Sequence, residues 1–229
     1  MRLLALLLAS LLFSKSVLAD GTLTQLSGQV AVQKADGSSR PAAIGLRVQQ
    51  GDSLITGADG FVRMQMTDGG QMVLRPASQI KIERYHFEQA QPEQDHFVFS
   101  ALKGGFRAIT GLISKRGNRD AYQANTRTAT LGIRGTEYDL QVCEPGLTGR
   151  NSCASMADGA STADGTYVAV IVGAIVVSNE LGYINLTVGQ FGFVPPNLPP
   201  VVLTRDPGIS FMLPSALESA EAGALECAI

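Results

Sequence analysis

The sequence predicts an all-β protein of short antiparallel or mixed strands, arranged as a β-roll, a short solenoid or a sandwich. Three observations carry this expectation. Brief apolar or alternating runs recur along the chain, at Gly28–Val32, Phe61–Met66, Gln71–Leu74 and Phe97–Phe99. Turn residues separate them, and Asp-Gly occurs six times, beginning at Asp20, Asp36, Asp59, Asp68, Asp158 and Asp164. Both residues of that pair tolerate the positive φ of a tight turn. The 3.6-residue periodicity of amphipathic helices is scarce.

Along the chain, the expected elements fall in order. The runs from Thr22 to about Val194 form the β body. Tyr167–Val177 is the most apolar stretch after the leader, and its β-branched residues, interrupted by Gly173, favour buried strand over membrane span. After Val194 the composition changes, because six of the ten prolines lie between Pro195 and Pro214. That segment is expected to be an extended connector rather than sheet. Ser215-Ala-Leu-Glu218 then fits a capping box opening a short helix through about Cys227. The expected organisation is a leader at 1–19, a β domain at 20–194, and a Pro-rich connector with a terminal helix at 195–229.

The leader is read from Arg2, the eleven-residue apolar region Leu3–Phe13, and the small-residue pattern Val17-Leu18-Ala19. Cleavage is expected before Asp20, which makes the protein an exported one. An apolar run of that length falls short of the ~20 residues that span a bilayer as a helix. The remaining chain carries 16 basic against 20 acidic side chains, a net charge of −4. There is no basic stripe of the kind nucleic-acid binding requires, so no nucleic-acid partner is expected. Neither a stable membrane span nor an outer-membrane barrel is indicated, since long alternating strands with aromatic girdles are missing.

Export also changes how the cysteines read. Cys143 and Cys153 flank a short turn-rich stretch, and an oxidising compartment favours their pairing over two free thiols. Cys227 is left over, either free or paired between molecules. Two cysteines and the distant His86 and His96 make no zinc spacing, and no segment has a calcium-loop pattern, so no metal or cofactor is expected. Enzyme motifs are nearly absent. Ser100-Ala-Leu-Lys103 matches Ser-x-x-Lys, but strand-like alternation would put its serine and lysine on opposite faces. The protein is expected not to be an enzyme.

A weak internal echo links Gly28-x-Val30-x-Val32, Gly37 and Gly51-Asp52 to Gly173-x-Ile175-x-Val177, Gly182 and Gly189-Gln190. A third glycine-led run starts at Gly105. Several fragments in order also resemble the periplasmic FecR-type domain. They are Gly28–Val32, Val48–Gly57 with Gly51 and Asp52, Phe61–Gly69 with Asp68, Leu74–Ile80, and Leu102–Arg107. The most specific is Thr128–Leu140, containing Arg134-Gly135-Thr136, and the closing piece is Gly173–Asn179 with Gly189-Gln190. The resemblance spans about Gly28 to Gln190. It implies an envelope sensing or signalling role and an unidentified protein partner in the envelope. It departs from iron-regulator members in showing a leader where they carry an anti-sigma segment and a membrane helix. Val172 stands where an acidic residue is frequent, and the Cys143–Cys153 loop reads as an insertion.

The candidate binding or fold-signature residues are therefore Arg134, Gly135, Thr136, Asp68, Gly51 and Asp52. Arg134, in a run with Leu131 and Ile133, is expected to be partly desolvated and to need acceptors. Those would be carbonyls with Glu137, Asp68 or Asp52, or else the carboxylate of a partner. On the first reading, Arg134→Ala would cost ~3–5 kcal/mol. The basic cluster Lys115–Arg119 is expected to be a solvated loop. The leading expectation is a non-catalytic interaction module of the periplasm that engages a partner, or a second copy, through sheet edges or the tail. The alternative is a peptidoglycan- or glycan-binding module, which a surface cluster of Tyr85, Phe87 and Tyr122 would favour.

Overall fold

The structure is a computed structural model that describes residues 20–116, 118, 120–145, 153 and 163–209. The leader, the terminal helix, Cys227 and most of the Cys143–Cys153 loop lie outside the described residues. The strands are β1 (Gly21–Ser27), β2 (Val30–Gln33), β3 (Ser39–Pro41), β4 (Arg47–Val48), β5 (Ser53–Thr56), β6 (Phe61–Met66), β7 (Gln71–Leu74) and β8 (Gln79–His86). They continue with β9 (His96–Ile109), β10 (Tyr122–Asn125), β11 (Thr130–Cys143), β12 (Gly165–Asn179), β13 (Gly182–Thr187), β14 (Phe191–Val194) and β15 (Val201–Leu203). All-β architecture is what the alternating runs predict. Asp36-Gly37, Asp59-Gly60 and Asp68-Gly69 sit in the turns between consecutive strands.

One continuous sheet makes two layers, because its long strands pass from one layer to the other. The first layer runs β4-β1-β6-β7-β9-β11-β12-β14-β15. The second runs β3-β2-β5-β8-β9-β10-β11-β12-β13. β9, β11 and β12 belong to both. His96–Lys103 of β9 pairs with β8, while Gly104–Ile109 pairs with β7 and β11. Likewise β11 pairs with β10 before Gly135 and with β9 after it, and β12 pairs with β14 before Gly173 and with β13 after it. β10 runs parallel to β9, and the other pairings are antiparallel.

The three crossings coincide with Gly104, Gly135 and Gly173, at φ of 73°, 58° and 83°. An L-residue disfavours this left-handed region, whereas glycine adopts it freely. Space restricts two of the positions as well. A Cβ on Gly104 would lie 2.5 Å from the Ser78 Cα, and one on Gly173 would overlap the Gly135 carbonyl oxygen. The internal echo thus marks geometry, because Gly28 joins β1 of the first layer to β2 of the second, as Gly173 joins the two halves of β12.

The core lies between the layers. In the first layer Leu23, Met64, Met72, Ala108, Tyr138 and Val170 form one cross-strand row, all buried. In the second, Ile82, Phe99, Ala124, Leu131 and Val177 form a matching buried row, which the partly buried Ile184 ends. Strict alternation along each strand sends these residues inward and their neighbours outward. Edge-to-face contacts add specificity, with Tyr122 5.2 Å from Phe97 and Phe106 5.5 Å from Phe99. Each such pair contributes about 0.5–1.5 kcal/mol beyond area burial.

A smaller apolar cluster covers the outer face of the first layer, made of Cys143, Cys153, Tyr167, Ala169 and Ile209. Tyr167 stacks on Phe193 at 4.4 Å. The Cys143–Cys153 bond is formed, and both residues are buried. Replacing both by serine is expected to cost about 2–3 kcal/mol by the chain-entropy argument for a loop this short. Thermal melts of wild type and variant, with and without reductant, would check it. The segment after Val194 departs from the expected connector. Val201–Leu203 adds β15 to β14, because the prolines flank this triplet without entering it and leave its N–H groups free to pair.

Candidate functional site

The sequence-derived residues fall into two sets, of which the first holds loops together. Gly51 (φ 87°) turns the chain between β4 and β5, and its N–H donates to the Ile82 carbonyl at 2.7 Å. Asp52 is buried, and its carboxylate accepts from Lys34 Nζ at 2.6 Å and the Gln49 N–H at 2.9 Å. Asp68, also buried, accepts from the Gly70 N–H at 3.0 Å and the Ile113 N–H at 3.3 Å. The Asp68 N–H donates to the Tyr85 hydroxyl at 3.1 Å. Asp68 therefore ties the β6–β7 turn to the loop after β9 and to β8.

Burial pushes the Asp68 carboxyl above the ordinary carboxylate range, outweighing the two N–H donors that favour its charge. A folded-state pKa raised above the unfolded one means that the native state holds the extra proton between the two values. The corresponding stability is present at low pH and is lost as pH rises through the raised value. Asp68→Asn is expected to remove that part of the slope from urea unfolding as pH rises above the ordinary carboxylate range. An unchanged slope would exclude the assignment.

The second set surrounds the crossing of β11. Arg134 is exposed, which corrects the expectation of a desolvated arginine. No side-chain hydrogen bond or ion pair joins it to Glu137, Asp68 or Asp52. The reason is strand alternation. Arg134 stands opposite Ala174, one position after Ile133, so its side chain turns outward while Leu131 and Ile133 turn inward, and the pairing shifts only after it, between Arg134 and Glu137. Arg134→Ala is therefore expected to cost under about 0.5 kcal/mol, as for other surface substitutions, in place of the large loss expected above.

Thr136 is the buried member of the triplet. Its N–H donates to Thr110 Oγ1 at 2.8 Å, and its hydroxyl donates to the Ala174 carbonyl at 3.0 Å. It thereby fastens the bend to the end of β9 and to β12. Gly135 leaves room beside it for Lys115, whose Cγ would be 3.7 Å from a Cβ at that position.

Sequence reasoning missed the ion pair Arg107–Asp139. The two residues are opposite in β9 and β11, and the guanidinium donates twice, Nε to Oδ1 at 2.8 Å and Nη2 to Oδ2 at 2.9 Å. Asp139 is only 1% exposed. Hydrogen bonding to Asp139 raises the Arg107 pKa further, so the guanidinium stays charged. Both residues lie in the quoted FecR-like fragments, which was the available signal, but nothing local says that they face each other.

In the basic cluster Arg116 departs from a solvated loop, while Arg119 lies outside the described residues. Arg116 pairs with the buried Asp95 at 3.0 Å, donates to the Gln89 and Glu88 carbonyls, and lies 4.8 Å above the Phe87 ring. Lys115 alone of that pair is exposed, next to the Gly135 bend. The cluster expected for sugar binding is not on the surface, because Tyr85 and Tyr122 are buried in the core and Phe87 is half-buried.

What the bend presents outward is a row of two apolar side chains on either side of Glu137, with basic neighbours. Ile109, Glu137 and Val172 are opposite one another across β9, β11 and β12. Ile109 and Val172 are exposed, as is Leu112 in the following turn. Arg134 and Lys115 flank Gly135. Among the described residues no three His, Cys, Asp or Glu side chains gather in a metal-binding group, and no helix is long and apolar enough to cross a membrane.

A family profile described as FecR protein matches residues 52–175, more than half of the chain. The chain belongs to the FecR protein family. Of the candidate residues, Asp52, Asp68, Arg134, Gly135 and Thr136 lie within the FecR match and Gly51 immediately precedes it, while the crossings at Gly104, Gly135 and Gly173 all lie inside. Among solved structures, a cell surface anchoring domain is 32% identical over 28% of this chain and 83% of its own length, with a TM-score of 0.27. A protein provisionally described as an anti-sigma factor, from Parabacteroides distasonis, is 14% identical over 67% of this chain, with a TM-score of 0.45. A second structure under the same description is 15% identical over 66%, again at 0.45. The chain spans about 60% of the length of these two proteins. No curated protein matches. FecR membership makes a regulatory, sensing or signalling module the coarse reading.

Proposed function

We propose that this FecR-family chain is an exported, non-catalytic sensing module of the bacterial periplasm that acts by binding another envelope protein. The leader at 1–19 directs export, the β domain at 20–194 carries recognition, and 195–229 extends from it. The observation that carries the reading is the outer surface of the β11 bend. There Ile109, Leu112 and Val172 are exposed beside the exposed Arg134 and Lys115, at the position of the family's signature triplet. A partly apolar patch with an arginine at its rim suits a protein partner with apolar side chains and a carboxylate. Asp68, Gly51 and Asp52 hold the loops behind this surface and do not contact the partner themselves.

The test is photo-crosslinking in intact cells, with the photoreactive residue placed in turn at Leu112, Arg134 and Val172, read by mass spectrometry. A discrete protein adduct at these positions, absent from probes at Lys103, is the expected result. Muropeptide adducts without a protein would make this a wall-binding module instead. N-terminal sequencing of the processed protein, recovered from the periplasmic fraction, is expected to begin at Asp20.

A further inference from the structure

The two ends of the folded sheet differ. At one end the layers finish on β3 and β4, only three and two residues long, which carry Arg40, Pro41 and Arg47. Short strands, proline and positive charge are the usual devices that stop an open edge from pairing with another chain. At the other end the layers finish on β15, itself only three residues long and preceded by Pro199 and Pro200, and on β13, which is six residues long and holds neither proline nor a charged side chain. From Gly165 to Thr204 the sequence holds one charged residue, Glu180. Exposed apolar side chains gather here: Tyr183 is 70% exposed, and Leu181, Val188, Leu198, Val201 and Val202 are exposed as well.

β13 pairs with β12 along one side only. Backbone groups alternate in direction along an antiparallel strand. Those of Thr187 point away from β12 and are taken by Gln190, whose side chain accepts from the Thr187 N–H at 2.7 Å and whose N–H donates to the Thr187 carbonyl at 3.0 Å. By the same alternation Tyr183 and Asn185 point their N–H and C=O groups outward, and no partner for them is found among the described residues.

We infer that β13 is a self-association edge, at which two copies pair antiparallel about a two-fold axis through Ile184. In that register Tyr183 and Asn185 of each copy exchange backbone hydrogen bonds with Asn185 and Tyr183 of the other, and Ile184 meets its own mate. The strand is self-complementary there, since an aromatic ring faces a neutral amide on both sides and no like charges meet. An isologous contact of this kind closes on itself and stops at the dimer. The inference goes beyond the proposed function, because this edge is separate from the β11 bend, and either can fail without the other.

The experiment is sedimentation equilibrium on the protein expressed from its full coding length and purified as its host processes it. Wild type is expected to show a reversible monomer–dimer equilibrium. Tyr183→Lys/Asn185→Lys sets lysine opposite lysine, and is expected to weaken the dimer by about tenfold or more. Its melting temperature, extrapolated to low concentration, should not change, because both side chains are exposed. Mixing this variant with Tyr183→Glu/Asn185→Glu is expected to restore a heterodimer. Arg40→Ala/Arg47→Ala, at the opposite end, should leave the equilibrium as in wild type. A wild type that stays monomeric overturns the inference, with hydrogen-exchange protection at 183–185 then showing that another part of the same chain covers the edge. A dimer that survives in the lysine variant, or mixed variants that do not pair, overturns it too.

Discussion

Gly173→Ala should destabilise the protein by about 3 kcal/mol, since strained backbone and overpacking each cost about 1–3 kcal/mol. The backbone there is left-handed, at φ 83°, and the added methyl would run into the Gly135 carbonyl oxygen of the neighbouring strand. Backbone cannot step aside as a flexible side chain can. For a domain of this size the loss corresponds to a drop of roughly 6–12 °C in Tm. Circular-dichroism melts would read it. Gly132→Ala is the control, because it lies in β11 with open space around the position and is expected to melt close to wild type. Equal melting of the two variants would mean that the crossing at β12 does not depend on glycine.

Asp139→Ala is the second large effect. Removing the carboxylate leaves the Arg107 guanidinium beside the space where two charge-assisted hydrogen bonds had been. Breaking a buried pair on one side costs about 3–5 kcal/mol. Because Arg107 keeps partial access to water, the lower end, about 3 kcal/mol, is expected. Arg107→Ala/Asp139→Ala should recover part of that loss, since no guanidinium deprived of its main acceptor is then left behind. The same double-mutant cycle in urea gives the coupling energy directly. Arg134→Ala, at the exposed arginine of the signature, should by contrast leave stability unchanged while removing the crosslink to a partner at the bend.

That contrast shows how far the sequence could be read. Strand positions were legible because alternation along a strand is local, so Phe61–Met66 and Gln71–Leu74 are strands as read. The Cys143–Cys153 pair was legible for a similar reason, since the two residues are close in the chain and turn residues lie between them. The role of arginine was not. Arg134 follows the buried Leu131 and Ile133 and reads as desolvated, yet it stands on the opposite face of the strand and is turned to solvent. Arg107 reads as one charge among many, yet it meets the buried Asp139 on a strand 32 residues away. Tyr85 and Tyr122 could have been surface aromatics for sugar, and alternation alone does not say which face of a strand is the inner one.

By itself, then, the sequence determined that this chain is an all-β FecR-like protein with a disulfide-closed loop, because composition, turn chemistry and motif order act over a few residues. Only the tertiary structure decided that one sheet serves both layers through β9, β11 and β12. It also decided that the signature triplet is a bend with one buried and one exposed end, and that the charged edge and the bare edge lie at opposite ends. Those facts depend on which strands become neighbours. Cross-strand pairing brings together residues tens of positions apart, and no local pattern records it.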